Sequence, residues 1–483
     1  MEPRFDVHLH LFNKTFLAKE LYFRLIQVIH HLFDPDEKKT EKGLFDSIGK
    51  KLEKIKSIIM TIKRINNFLH TGFLTNSTEV CDELNQNYKN EFILTPLMFD
   101  LTYCFVSSAI GTRELAKPVD YFKILDKQKQ TFLKKIDQFA PSIKEGARAL
   151  PVKDKREQKL LTELDKELKE FNKLTNELKK SNRKDTIRKK QLSRDLDGIP
   201  GEGDGFHEQI LQLKELKNNP KYKDRIFPFL AVDPRRPGIL KYMKENVGKG
   251  KPFIGVKLYT PNGYSPTDPL LYGSAGNDDC VYKYCEKNKI PVTVHNSYGG
   301  FATFVDSVEI TGDVYTSAGI KPLNKKMYDF RTKLMKDSGN AIKERALVLN
   351  HPSLWEKVLE KYPNLYLDLA HFGGGERLEM AIDNTDDKES GSWSKKIIEL
   401  IQKYPNAYTD VSCFSEFDVL RKLKASPIYN TIRSKIMYGS DYYLLLLFEN
   451  DFKKNIESFK TVFAADFDLI SRENPKRYLA NVL

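Results

Sequence analysis

The sequence predicts an α/β protein built as a (β/α)8 barrel, a TIM barrel, with two helical insertions, one after strand one and one after strand two. Three observations lead there. Eight short β-rich runs recur along the chain, helical periodicity lies between them, and most runs end in a polar or metal-competent residue. Alternating strand and helix calls for a parallel sheet with crossover helices, and a count of eight favours a closed barrel over a doubly wound sheet. The 483 residues exceed one small domain, yet an interrupted barrel absorbs them as a single unit over 1–483.

In order, the predicted strands are 5–10, 92–98, 226–232, 253–259, 291–295, 365–371, 407–412 and 436–441. Helical spacing precedes the sixth in Leu354, Val358, Leu359 and Tyr362, and the seventh in Ile397, Ile398 and Ile401. The stretch 13–90 is much longer than an ordinary crossover. Its apolar residues, such as Ile55, Ile59, Ile62, Ile65 and Leu69, recur at helical spacing, so a helical cap on the carboxyl-terminal face is expected. The stretch 111–205 carries 24 Lys+Arg against 17 Asp+Glu. There Leu161, Leu164, Leu168, Phe171, Leu174 and Leu178 form one apolar stripe among alternating charges, which predicts a charged helical hairpin. Its far end, 195–205, is Gly-rich and acidic, and carries little signal for phosphate binding because no strand precedes it.

Composition narrows the class. With 40% hydrophobic and 30% charged residues and a mean hydropathy of −0.50, fibrous and wholly disordered readings are excluded. Of the net +13, the second insertion holds +7, so the basic excess says little about the rest of the chain. A nucleic-acid or partner-binding role through the run Arg183 to Arg194 competes with a solvated helical face; interleaved acids and few aromatics favour the face. A homo-oligomer formed through the insertions is a further expectation. Five cysteines without CxxC spacing argue against a disulfide framework and against a thiolate zinc site, which fits a reducing, cytoplasmic compartment. Neither a membrane span nor an amino-terminal signal peptide is expected, since charges interrupt every candidate apolar run or the run is too short.

The sharpest local signal is Asp6-Val7-His8-Leu9-His10 on the first strand. Alternate strand residues share a face, so His8 and His10 should point together into the barrel while Val7 and Leu9 point outward. Two converging imidazoles are a natural metal pair, against the alternative of a satisfied core pair. Of nine histidines, His8, His10, His295 and His371 end predicted strands, and Asp441 ends the last. A barrel gathers the carboxyl ends of its strands on one face, which would unite residues more than 400 positions apart in sequence.

With these residues in place the sequence resembles the amidohydrolase superfamily, in its amidohydrolase-related (amidohydrolase 2) branch of metal-dependent hydrolases and non-oxidative decarboxylases. The resemblance rests on DVHLH at Asp6 to His10, GVKLY at Gly255 to Tyr259, PVTVHNS at Pro291 to Ser297, LAHFGGG at Leu369 to Gly375 and YGSDYY at Tyr438 to Tyr443. It covers roughly 4–12, 90–100, 206–300 and 350–480, and leaves both insertions unexplained. The resemblance implies a metal held by His8, His10, His295 and Asp441, with Zn2+ the default over Mn2+ or Fe2+, and His371 beside the water or substrate. Asp441 would serve also as general base. Lys257 stands where two-metal relatives carry a carboxylated lysine; if so modified, His295 and His371 would hold a second metal. The branch resembled is mostly mononuclear, so one metal per chain is expected, with Lys257 a charged lysine.

Four residues are candidates for the substrate. Arg235 and Arg236 follow strand three and could clamp a carboxylate, or simply pair with nearby acids. Asn296 and Tyr298 follow His295 and could orient a substrate, though Tyr298 could equally be a packed rim aromatic. His351, before Pro352, reads as a helix start rather than a ligand. The expected activity is a metal-dependent hydrolase that uses an activated water on an amide, ester or lactone carbon of a small molecule. The alternative is non-oxidative decarboxylation of an aromatic or unsaturated acid, which a carboxylate-clamping arginine would favour.

Overall fold

In the computed structural model each of the eight sequence runs overlaps a strand. The structure describes residues 2–13, 48–72, 74, 76–100, 102–105, 155–181, 205–334 and 337–483. The strands are β1 (Arg4–Leu9), β2 (Phe92–Pro96), β3 (Phe229–Ala231), β4 (Gly255–Leu258), β5 (Val292–Ser297), β6 (Ser307–Thr316), β7 (Gly319–Asp329), β8 (Leu367–Gly373), β9 (Ala407–Asp410) and β10 (Ile436–Met437). Six of them form a parallel sheet in the order β10-β9-β8-β5-β4-β3, and β1 pairs with β2 in parallel.

Backbone hydrogen bonds span both seams between these sheets. On one side Leu94 N donates to Arg225 O (2.8 Å) and Met98 N to Phe229 O (3.1 Å), joining β2 to β3. On the other, Val7 N donates to Tyr438 O (3.1 Å) and Asp441 N to His8 O (2.6 Å), setting β1 beside the last strand. The first and last strands therefore meet, as a barrel requires.

The interior holds Phe5, Val7, Phe229, Tyr408 and Met437, drawn from opposite strands, together with Tyr478 and Leu479 of the helix Asn474–Leu479. Tyr478 reaches Thr293 Oγ1 at 3.0 Å. Val7 thus faces inward, contrary to simple alternation. The register of β1 against β2 shifts between Asp6 and Leu9, and this bulge lets Val7 and His8 both serve the interior. Asp6 turns instead to Tyr88 (2.7 Å) and Ser440 (2.6 Å), and burial pushes its carboxyl up to about 6.

Within the first insertion the helices Ile48–Gly72 and Ser77–Tyr88 are described. Phe68 stacks on Tyr443 beyond β10 (4.5 Å between centroids, 4° between planes), which sets the first helix against the carboxyl-terminal rim. Within the second, the helix Lys155–Ser181 is described, and Leu164, Phe171 and Leu174 join the same core as Ile59, Ile62 and Ile65. Lys63 pairs with Glu163, and Asn66 donates to Glu167 (2.9 Å), so the two helices run side by side in one direction. The other arm of the expected hairpin, the basic run and residues 195–204 lie outside the described residues.

One addition was not expected. Between the fifth and sixth barrel strands, β6 and β7 form an antiparallel ribbon. Val308, Ile310 and Val314 of β6 are buried, whereas β7 is largely exposed, with Pro322 and three lysines that discourage edge-to-edge pairing. The ribbon is anchored where Tyr315 stacks on His351 (3.7 Å between centroids, 13° between planes). His351 caps the helix Pro352–Lys361, its Nδ1 accepting from Ser353 N (3.2 Å), which is the helix start read from the sequence.

Burial lowers the His351 pKa from 6.5 to about 4. The unfolded chain then takes up this proton first on acidification, so the stability associated with neutral His351 is present above pH 6.5 and is lost as pH falls towards 4, by up to about 3 kcal/mol. Urea unfolding of wild type and His351→Asn across pH 7 to 4.5 should show the stability gap shrinking with acidification. A constant gap would contradict this.

Candidate active site

The carboxyl ends of the barrel strands open onto a cavity of about 290 Å3. His8, His10, Lys257, His295, His371 and Asp441 all line it. Convergence follows from topology: β1 supplies His8 and the residue just after the strand is His10, β4 supplies Lys257, β5 His295, β8 His371, and the segment after β10 Asp441. His371 (φ 68°), Phe372 (φ 49°) and Asp441 (φ 56°) occupy left-handed backbone, rare for non-glycine residues and commonest where a side chain must be aimed.

Each of three histidines is fixed through its Nδ1. His8 Nδ1 donates to Asp410 Oδ2 (2.8 Å) and His10 Nδ1 to the Leu97 carbonyl (2.8 Å); neither acceptor has a proton to give. His371 Nδ1 lies 2.8 Å from Ser412 Oγ. Burial, reinforced by the Lys257 charge, pushes the His8 pKa down to about 3, with Asp410 opposing. Burial likewise holds His10 and His371 well below the usual histidine range. Neutral imidazoles with Nδ1–H occupied keep Nε2 lone pairs for the cavity, the form that binds metal.

Those lone pairs meet a carboxylate. His10 Nε2 and His8 Nε2 lie 3.4 and 3.9 Å from Asp441 Oδ1. Two ligands on a tetrahedral cation at about 2.0–2.2 Å sit roughly 3.4 Å apart, so His8, His10 and Asp441 fit a divalent ion. Among the described residues His8, His371 and Asp410 form a second such group. His295 joins neither. Its ring stacks on Tyr259 (4.3 Å between centroids), and its Nε2 lies 2.9 Å from the Gly299 carbonyl.

Lys257 is fully buried, its Nζ 3.4 Å from His8 Nε2. Burial lowers its pKa to about 8, against the opposing charges of Asp410, Asp441 and Asp368.

The four substrate candidates are not brought to the cavity. Arg235 is held by Asp233 (2.6 and 2.8 Å) and the carbonyls of Tyr103 and Asn262. Arg236 forms a buried bidentate pair with Asp100 (2.7 and 2.9 Å), its guanidinium 4.0 Å over Phe206. The pairing alternative therefore describes both arginines. Asn296 bonds the Asn350 carbonyl and Trp393, tying β5 to its neighbours. Tyr298 packs at the rim beside Arg377 and Glu389.

Sequence reasoning missed Asp410 and Ser412. Their two-residue spacing at the end of the seventh barrel strand follows the same logic as His8 and His10. It missed Tyr259 too, although GVKLY contains it; its hydroxyl accepts from Phe301 N at 2.6 Å. Glu376 in the first turn of the helix Gly375–Ile382 and Glu416 just before the helix Phe417–Ala425 also line the mouth, and no pattern marked them.

A barrel-end cavity with two histidines from strand one and an aspartate after the last strand defines an enzyme site of the amidohydrolase type. The chain belongs to the amidohydrolase family, whose model matches residues 215–479, more than half its length. His8 and His10 precede that match and are supplied by the fold. No curated protein matches the chain in sequence. Among solved structures it is similar to 2,6-dihydroxybenzoate decarboxylase complexed with 2,6-dihydroxybenzoate (16% identity, 57% of this chain and 78% of that one, TM-score 0.34). It is also similar to an amidohydrolase from Burkholderia multivorans with bound zinc (14%, 56% and 77%, TM-score 0.33). A third is amidohydrolase 2 from Bifidobacterium longum subsp. infantis (13%, 56% and 74%, TM-score 0.30). No helix among the described residues is long and apolar enough to cross a membrane.

Gly439 sets the closeness of the first and last strands. A Cβ there would stand 2.6 Å from His8 Cβ and 3.0 Å from Ser412 Cβ. Gly439→Ala should destabilise the fold by about 1–3 kcal/mol through overpacking and weaken Zn2+ binding by displacing His8. Unchanged melting and unchanged zinc titration would refute that account.

Proposed function

We propose that the chain is a metal-dependent hydrolase that adds water to an amide, ester or lactone carbon of a small molecule. The observation that carries this reading is the grouping of His8, His10 and Asp441 at the cavity wall, next to His371 and without an arginine among the described lining residues. His8, His10 and Asp441 would hold one Zn2+, Mn2+ or Fe2+, and His295 is retained as the fourth candidate ligand. Bound there, the cation would supply Lewis acidity towards a carbonyl and lower the pKa of water.

The chain's own groups supply the rest. Asp441, in reach of both histidines, is the candidate acceptor of the water's proton. His371, neutral at neutral pH, is the candidate for carrying a proton to the leaving atom through Nε2. Phe301, Phe414, Leu444 and Phe448 give the mouth an apolar wall that limits access of bulk water. The carboxylates of Asp410 and Asp441 favour the cationic form of the buried Lys257 amine, which supports a single-metal site in which the lysine stays unmodified.

Decarboxylation of an aromatic or unsaturated acid is the second reading, and Lys257 is the observation that favours it. It is a cation in the cavity wall that could hold a substrate carboxylate, whereas Arg235 and Arg236 are bound elsewhere. The helical insertions are proposed as a cap on this face, and the chain as acting on small molecules.

Two measurements test the reading. His8→Ala and His10→Ala should each reduce bound metal, measured by plasma emission, to under about a tenth of wild type, since removing one of few ligands leaves an incomplete shell; unchanged metal content would remove the basis of the proposal. A panel of amides, esters, lactones and aromatic acids should yield acid release without CO2. Release of CO2 from an acid would select the lyase reading instead.

A further inference from the structure

Below the cavity floor, Asp410 and Ser412 form a hydrogen-bonded unit whose parts face two different histidines. Asp410 Oδ2 takes the His8 Nδ1 proton at 2.8 Å. Its Oδ1 accepts from His371 N (2.9 Å), Ser412 N (3.0 Å) and Ser412 Oγ (2.5 Å). The carboxylate is completely buried and accepts four hydrogen bonds donated by His8, His371 and Ser412, which hold it in the anionic form.

Proton accounting then assigns the rest. Ser412 has one hydroxyl hydrogen, and Asp410 can only accept, so that hydrogen goes to Oδ1. The Ser412 oxygen is left as an acceptor for His371 Nδ1–H at 2.8 Å. Its 3.3 Å approach to His8 Nδ1 is longer, and the His8 proton already points to Asp410. Both rings are thereby set in the same tautomer, Nδ1–H with Nε2 bare, from a single strand end.

We infer that Asp410 and Ser412 are positioning residues with divided duties: Asp410 orients His8 for the cation, and Ser412 fixes the tautomer of His371 for proton transfer. The inference rests on the metal-site reading above. It separates the two functions of the cavity at one two-residue unit, so the substitutions should separate them too.

Zinc affinity, measured in chelator competition, and imidazole 15N shifts of the zinc-loaded protein test this. Asp410→Asn should weaken Zn2+ binding 10–100-fold. Ser412→Ala should leave Zn2+ affinity within about threefold of wild type, the histidine shell being intact. The same variant should move the His371 nitrogens from one defined tautomer towards a mixture, and Ser412→Thr, which keeps the hydroxyl, should restore the wild-type shifts. Should Asp410→Asn melt as an unfolded apoprotein, the Ser412 pair alone decides. Unchanged His371 shifts in Ser412→Ala, or a loss of zinc affinity in it as large as that of Asp410→Asn, would overturn the division. A wild type that binds no zinc would sink the metal reading itself, whereas zinc binding indifferent to a folded Asp410→Asn sinks only this inference.

Discussion

The pairing of the first strand with the last is the constraint on which the site depends. Val7 N to Tyr438 O and Asp441 N to His8 O are two backbone bonds between segments over 400 residues apart in sequence. They place the imidazoles of His8 and His10 against the Asp441 carboxylate. Nothing local would hold those groups together, and the close approach needs Gly439, where a side chain would strike His8. The bulge in β1 completes the arrangement by letting the strand bury Val7 in the interior and still present His8 to the cavity.

Polar burial at this density is costly, and the structure shows how the cost is offset. Asp410, Lys257, Asp368 and three histidines with depressed pKa values crowd one end of the barrel. The histidines remain neutral, which avoids burying their charge. Asp410 stays ionised despite burial because His8 and the donors around it compensate. Asp368 is pushed well above its ordinary value by burial and by Asp410, with Lys257 opposing. Such separation of neighbouring titratable groups is frequent at functional sites.

Much of the barrel was legible in the sequence because strand ends carry their chemistry openly. His8, His10, His295, His371 and Asp441 end β-rich runs, Lys257 lies within the fourth, and all six line the cavity. Legibility failed where tertiary partners decide the outcome. Arg235 pairs with Asp233 two residues away, the alternative the sequence already offered, whereas the partner of Arg236, Asp100, is distant in sequence. Val7 broke alternation through a bulge that no local pattern announces. The β6–β7 ribbon was overlooked although Val308, Ile310 and Val314 recur at even spacing, because helical crossovers were expected there. Asp410 and Ser412 fell outside the histidine-led search for ligands.

The central claim is that His8, His10 and Asp441 together bind one metal ion. Anomalous scattering from a zinc-loaded crystal, recorded at the zinc edge, tests it most directly. The account predicts one peak about 2.0–2.2 Å from His8 Nε2, His10 Nε2 and an Asp441 oxygen. Two peaks about 3.5–4 Å apart would contradict the single-metal site, and no peak among these three residues would contradict the claim as a whole.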